Sequence, residues 1–289
     1  MAPPPDPAPP EAPPPLPPPD LTPPPADPTP VAPAEEACRD WEELRLARYV
    51  YKNNVWNKGT ITDYEQCVMR RVVDGEDQYG WRWRWPYQGP SVAALSPGAN
   101  YHEPGHEVRA YPEVVHGKGP WDTLSTMSNL PLRVSEVRQI RVDYEAYLAA
   151  EGDYNLAFSM WLTSDTPGTP EGVSHEIMIW VDRTDWAPGG PEEHVAEVEI
   201  DGSEYALFVR QNANDPDAHA SLVGQKYIAF AKYTDQYSGT LNLEKFLEYL
   251  VEHGHIPDDH YVNDVELGNE VLDGSSGVFW LKSFDVQVR

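Results

Sequence analysis

Three side chains with chemical potential alternate in the segment His175-Glu176-Ile177-Met178-Ile179-Trp180. This alternation is the pattern of a half-buried β-strand, in which residues two apart share a face. Glu176, Met178 and Trp180 therefore point one way, and Ile177, Ile179 and Val181 the other. The aliphatic side reads as core. The opposite side offers a carboxylate, a thioether and an indole in a row, which suits the floor of a sugar-binding cleft. Cutting a glycosidic bond takes a second carboxylate facing the first. In a retaining enzyme one is the nucleophile and the other the acid, about 5–5.5 Å apart. Val265-Glu266-Leu267-Gly268-Asn269-Glu270 offers two, since alternation sets Glu266 and Glu270 opposite to Val265 and Leu267. The acid must keep its proton near neutral pH, which burial or a neighbouring negative charge arranges. Solvent-facing strand carboxylates are the plain alternative in a chain with 47 Asp and Glu.

Indole faces stack on the apolar faces of pyranose rings, so a cleft for a polymer needs several. Trp41, Trp56, Trp81, Trp83, Trp85, Trp161 and Trp180 are available. Core packing is the competing use of each, and about half are expected to go that way. His102-Glu103-Pro104-Gly105-His106 has the spacing of a zinc-protease motif. That chemistry needs both histidines on one helical face, and Pro followed by Gly opposes the helix. No metal is therefore expected. Asn212-Ala213-Asn214-Asp215-Pro216-Asp217 is oxygen-rich, and an Asx-type turn accounts for it better than a calcium loop. The chain has no Gly-Xaa-Ser-Xaa-Gly elbow, P-loop or dinucleotide fingerprint.

The elements that must position these residues are mostly strands. Gly80 to Trp85 alternates strictly, with three indoles on one face. Tyr154 to Leu162 puts Leu156, Phe158, Met160 and Leu162 on one side and Asn155, Ala157, Ser159 and Trp161 on the other. Further strands are expected over Val137–Leu148, Val195–Ile200, Glu204–Gln211, Lys226–Tyr233 and Val278–Val288, with turn-forming clusters between them. One helix is expected, its apolar stripe formed by Leu243, Phe246, Leu247, Leu250 and Val251 and its stop by Gly254. Many short strands at regular spacing predict an all-β, two-sheet antiparallel jelly-roll sandwich with one packed helix.

Composition bounds the partners. Of the first 33 residues 18 are Pro, against 31 in the whole chain of 289. Residues 1–35 read as an extended Pro-rich linker, and 36–289 as one catalytic domain. The net charge of −26 opposes binding to nucleic acid and to anionic membranes and leaves a neutral substrate open. No apolar run approaches the ~18–20 residues of a membrane span. Met1 leads into the Pro-rich run with no signal peptide, as in a cytosolic protein or a secreted one supplied without its leader. Cys38 and Cys67 could pair as a disulfide or remain two buried thiols.

From about Cys38 to Arg289 the chain resembles glycoside hydrolase family 12, small jelly-roll endoglucanases and xyloglucanases. The likeness rests on Asn53-Asn54-Val55-Trp56, Tyr111-Pro112-Glu113-Val114, Tyr154-Asn155-Leu156-Ala157-Phe158, Glu176-Ile177-Met178-Ile179-Trp180, and Val265-Glu266 through Gly277. The fourth stretch is the most specific. The resemblance implies Glu176 as nucleophile and Glu270 as the acid that then acts as base. It implies that Trp56 stacks on a glucose on the non-reducing side of the cut, with Trp41 assisting. Asn54, Met178 and Trp180 would contact substrate, and Glu266 would support the carboxylates. It also implies a disulfide between Cys38 and Cys67. Where the family usually has an Asp hydrogen-bonded to the nucleophile, this chain has Asn155, which would then support Glu176 through an amide. Asn57 replaces the usual Gly after the first stretch, and Gly268-Asn269-Glu270 replaces Gly-Thr-Glu.

The expectation is a secreted monomeric hydrolase, free of cofactors, that cleaves internal β-1,4 bonds of cellulose or mixed-linkage β-glucan. Its concave sheet would form an open cleft, and configuration would be retained. Xyloglucanase or xylanase activity on the same fold is the alternative among enzymes. A non-catalytic carbohydrate-binding jelly roll is the alternative outside them. The linker would join the domain to a lost signal, an anchor or another module.

Overall fold

Alternating sequence becomes two large antiparallel-rich sheets in the computed structural model, which describes residues 33–87, 107–165, 167–211 and 224–289. The His102–His106 and Asn212–Asp217 motifs lie outside the described residues. In chain order the strands are β1 (Glu35–Ala37), β2 (Glu43–Arg45), β3 (Val50–Lys52), β4 (Glu65–Val73), β5 (Glu76–Arg84), β6 (Val108–Ala110), β7 (Glu113–Gly117), β8 (Leu132–Arg133), β9 (Ile140–Glu151) and β10 (Asn155–Thr163). Then follow β11 (Val173–Arg183), β12 (His194–Ile200), β13 (Ser203–Gln211), β14 (Lys226–Lys232), β15 (Ser238–Asn242), β16 (Tyr261–Val262), β17 (Asp264–Gly268), β18 (Val271–Leu272) and β19 (Ser276–Val288). The smaller sheet runs β1-β4-β5-β19-β9-β15. The larger runs β12-β13-β14-β11-β10-β17-β7-β3-β2, with β16 and β8 off this path. The first strand starts at Glu35, one residue inside the stretch read as linker.

The core lies between the two sheets. From the larger sheet it takes Leu156, Phe158, Met160, Leu162, Ile177, Ile179, Val181, Val265 and Leu267, the aliphatic faces that alternation marks. From the smaller it takes Trp81, Trp83, Val142, Leu148, Phe279 and Leu281. Trp81, Trp83 and Trp85 share one face as expected, and that face is core. Their indole N–H groups are satisfied internally: Trp81 donates to Asn269 Oδ1 (2.7 Å), Trp83 to Ser275 Oγ (3.1 Å) and Trp85 to Gln66 Oε1 (3.0 Å). A buried indole needs such a partner. Two of these bonds hold the segment around Glu270 from beneath.

Helix α1 (Leu243–Glu252) buries Leu243, Phe246, Leu247 and Leu250 in the same core, and Phe246 packs edge-on to Phe230 and Tyr205. Gly254, at φ +72°, follows the helix end, where the left-handed backbone favours glycine. Cys38 and Cys67 form a disulfide that ties the first turn to β4.

Candidate active site

The face of the larger sheet turned away from the core is a grid set by register. Arg210, Tyr227, Glu176 and Trp161 form one row across β13, β14, β11 and β10. Phe208, Ala229, Met178, Ser159 and Glu266 form the next, reaching β17. Ala206, Ala231, Trp180, Ala157, Gly268 and Glu113 form a third, reaching β7. Beyond it, Asn155 faces Glu270 just past the end of β17, and the backbone N–H of Asn155 donates to the Glu270 carbonyl (3.1 Å). Glu176 and Glu270 thus come from segments flanking β10, with the Met178/Ser159 and Trp180/Ala157 levels between theirs. Tyr111 crosses this floor, its hydroxyl donating to the Ala157 carbonyl (2.8 Å). Its ring lies so close to Gly268 that a Cβ there would sit 2.7 Å from it, and only glycine fits.

Both Glu176 and Glu270 are partly exposed. Burial pushes Glu176 up to about 8, helped by the charge of Glu270 and opposed by Arg210. Burial likewise pushes Glu270 up to about 7, opposed by a hydrogen bond from Asn155 and by Arg210. The pair therefore carries one proton near neutral pH. Arg210 stacks on Tyr227, 4.7 Å from the ring centroid, and so brings a positive charge to the row of Glu176.

Asn155 does not hydrogen-bond Glu176, and this corrects the expectation that it supports the nucleophile. Its Oδ1 accepts the Glu270 backbone N–H (2.8 Å), which fixes the orientation of the amide, and its Nδ2 donates to Glu270 Oε2. The reason is register: Asn155 pairs across β10 with Glu270, while the level of Glu176 is that of Trp161. Ser159 is the residue of β10 diagonal to Glu176 on this face, and its buried Oγ has no hydrogen-bond partner among the described residues. Asn269 turns into the core, where its Nδ2 donates to the Asn155 carbonyl (2.6 Å) while its Oδ1 takes the Trp81 N–H.

The other expected contacts divide. Trp56 is 50 % exposed and Trp41 51 %, the latter at φ +63°, a backbone rare for a bulky residue. The Trp41 N–H donates to the Asn53 carbonyl (2.8 Å), so the two indoles stand on adjoining turns. Trp180 is only 1 % exposed and packs on Trp186 with centroids 4.4 Å apart. It backs the floor and offers no free face to a sugar. Met178 is also buried, under the Tyr227 hydroxyl (3.4 Å). The Asn54 amide is committed to Glu113 Oε1 (3.0 Å). Glu266 is buried, and burial with the neighbouring Glu113 and Asp264 carboxyls pushes its pKa well above the ordinary carboxylate range, opposed by the charge of Lys52.

Four groups in this region escape sequence reading. Lys52 Nζ binds Asp122 Oδ1 (2.6 Å) and lies 3.8 Å from Glu113. Against the cost of its burial, the fields of Glu113, Asp122 and Glu266 hold it protonated. Arg109 grips Asp273 through Nε and Nη2 (both 2.7 Å) and donates from Nη1 to the Asn57 carbonyl (3.3 Å). It so joins the turn after Glu270 to the turn bearing Trp56. Only Tyr111 lay in a stretch quoted for its family likeness; Lys52, Arg109 and Arg210 carry no local signal, being partnered by residues distant in sequence.

The profile described as Glycosyl hydrolase family 12 matches residues 47–289. Endoglucanase S of Pectobacterium parmentieri is 26 % identical over 233 residues, 80 % of this chain and 78 % of that protein. Among solved structures, a family 12 xyloglucanase from Bacillus licheniformis superposes with a TM-score of 0.72 at 24 % identity, covering 89 % of this chain and 100 % of that one. An endoglucanase from Rhodothermus marinus does so with a TM-score of 0.67 at 26 % identity, covering 89 % and 99 %.

Proposed function

Given that the chain belongs to glycosyl hydrolase family 12, we propose that it hydrolyses internal β-1,4-glucosidic bonds of cellulose or mixed-linkage β-glucan with retention of configuration. The observation that carries this reading is the pair of partly exposed carboxylates Glu176 and Glu270, set by register on the two segments that flank β10. Glu176 attacks the anomeric carbon while Glu270 protonates the leaving oxygen. Glu270, now ionised, then takes a proton from the water that releases the glycosyl-enzyme.

Burial raises both carboxyls, to about 8 for Glu176 and about 7 for Glu270; the charge of Glu270 raises Glu176 further, and the Asn155 amide favours charge on Glu270. Substrate assigns the proton. The glycosidic oxygen can only accept a hydrogen bond, so it selects protonated Glu270, while a sugar hydroxyl donating to Glu176 selects its ionised form.

The relatives divide between endoglucanases and a xyloglucanase by name, so xyloglucan is the second substrate to test. The disulfide supports action outside the cell, with residues before the first strand as a linker. Release of reducing sugar from carboxymethyl-cellulose, β-glucan, xyloglucan and xylan tests the reading, with NMR of the product anomer for retention. Binding without release, or release untouched by Glu176→Gln, would sink it.

A further inference from the structure

A second aromatic surface flanks the row of Glu176. Directly after β7 the chain turns through Gly119 and Asp122: Asp122 N–H donates to the Gly119 carbonyl (3.0 Å), and Gly119 N–H returns to Asp122 Oδ2 (3.1 Å). This turn lifts Trp121 off the sheet. Its indole is 44 % exposed and stands perpendicular to Trp161, with centroids 4.8 Å apart. Trp161 is the residue directly opposite Glu176 on the neighbouring strand. The other edge of the turn is fixed where Lys118 N–H donates to the Asn263 carbonyl (3.0 Å) and Lys118 Nζ to the Gly168 carbonyl (2.8 Å).

The anchor of this turn is buried. Asp122 Oδ1 is held by Lys52 Nζ, and both side chains are largely shielded from solvent. Enclosing an ion pair costs desolvation, so it is a poor way to gain stability and a good way to fix geometry. Lys52 also faces Glu113, which takes the Asn54 amide and so steadies the turn that presents Trp56. A single cation is thus coupled to two exposed indoles. Gly117, from which the Trp121 turn departs, pairs with Asp264, whose Oδ1 accepts the backbone N–H of Trp161 (2.9 Å), at the Glu176 end of the grid. Trp56 departs near the Glu270 end, where the Tyr111 N–H donates to the Asn54 carbonyl (3.0 Å).

We propose that Trp121 is a second sugar-stacking platform of the cleft, at the opposite end of the floor from Trp56, and that Lys52 is the positioning residue that holds both platforms. The ligand is a glucose ring of a β-1,4-linked chain, and the inference rests on the glucan reading above. Stacking needs a rigid ring with open surface; the perpendicular contact with Trp161 supplies the first and the exposure of Trp121 the second.

The test is calorimetric binding of cellohexaose to full-length Glu176→Gln protein, which cannot turn it over. Adding Trp121→Ala should weaken binding about tenfold, comparable to adding Trp56→Ala. In the otherwise wild-type enzyme, Asp122→Asn keeps the Gly119 acceptor but breaks the ion pair to Lys52. It should raise KM for cellohexaose about threefold with a smaller fall in kcat. Cellohexaose binding within about twofold of the parent after Trp121→Ala, with a clear loss after Trp56→Ala, overturns the platform while leaving the glucan reading intact. An equal fall in kcat at unchanged KM in Asp122→Asn overturns the positioning role of Lys52. Failure of the Glu176→Gln parent to bind cellohexaose removes the glucan reading itself, and the platform with it.

Discussion

Exchanging Asn155 for Asp should move the alkaline side of the pH–rate profile. In the native site Asn155 Nδ2 donates to Glu270 Oε2, and this bond favours the ionised form of Glu270. Asp keeps an oxygen for the Glu270 backbone N–H, so the segment stays in place. The donor, however, becomes a carboxylate. A hydrogen bond to a charged group contributes about 1.5–3 kcal/mol, and one pKa unit is about 1.4 kcal/mol. Loss of the bond alone therefore raises Glu270 by about one to two units, and the added negative charge acts in the same direction. From about 7 the acid should rise to about 8 or above. On the proposed mechanism Glu270 must be protonated to release a poor leaving group, so the alkaline limb of kcat/KM should shift to higher pH. The assay pairs cello-oligosaccharide hydrolysis with an aryl cellobioside whose dinitrophenolate departs without a proton. Only the first should show the shift. An alkaline limb that stays within about 0.3 unit of wild type, in a variant with an unchanged melting temperature, would refute the reasoning.

Three further outcomes are expected. Arg210→Met removes the cation that lowers both carboxyls, so both limbs of the profile should move to higher pH, read from kcat/KM between pH 4 and 10 on the scale of about one unit. Glu176→Gln should cut kcat by roughly a thousandfold or more while oligosaccharide binding persists, measured by initial rates and calorimetry. Reduction of the Cys38–Cys67 bond, which spans 29 residues, should lower stability by about 3–4 kcal/mol in chemical denaturation at constant pH.

Much of the fold was legible because a strand writes its faces into alternate residues. Ile177, Ile179 and Val181 went to the core, and Glu176, Met178 and Trp180 to the open face. Alternation could not tell which sheet surface a strand presents outward. The indoles of Trp81, Trp83 and Trp85 were therefore ambiguous until the smaller sheet placed them inside. Nor does it show depth: Trp180 is on the expected side yet lies beneath Trp186. Register was the larger gap. Asn155 is on the expected strand and the expected face, but its partner was misread because pairing between β10 and the Glu270 segment is set 115 residues away. Lys52 and Asp122, 70 residues apart, show the same limit.

The grid of cross-strand rows also bears on how the molecule acquires its activity. Glu176 reaches its row only when β11 lies between β10 and β14, and the β11–β14 pair is parallel. Glu270 is set only when its segment closes on Asn155. Such pairings carry loop-closure entropy before they repay it, and topologies dominated by them fold slowly. The proposed reacting centre is therefore predicted to form late. Catalytic rate should therefore recover at the slowest refolding step, behind the helix signal in circular dichroism, and can be used to time the arrival of the native register.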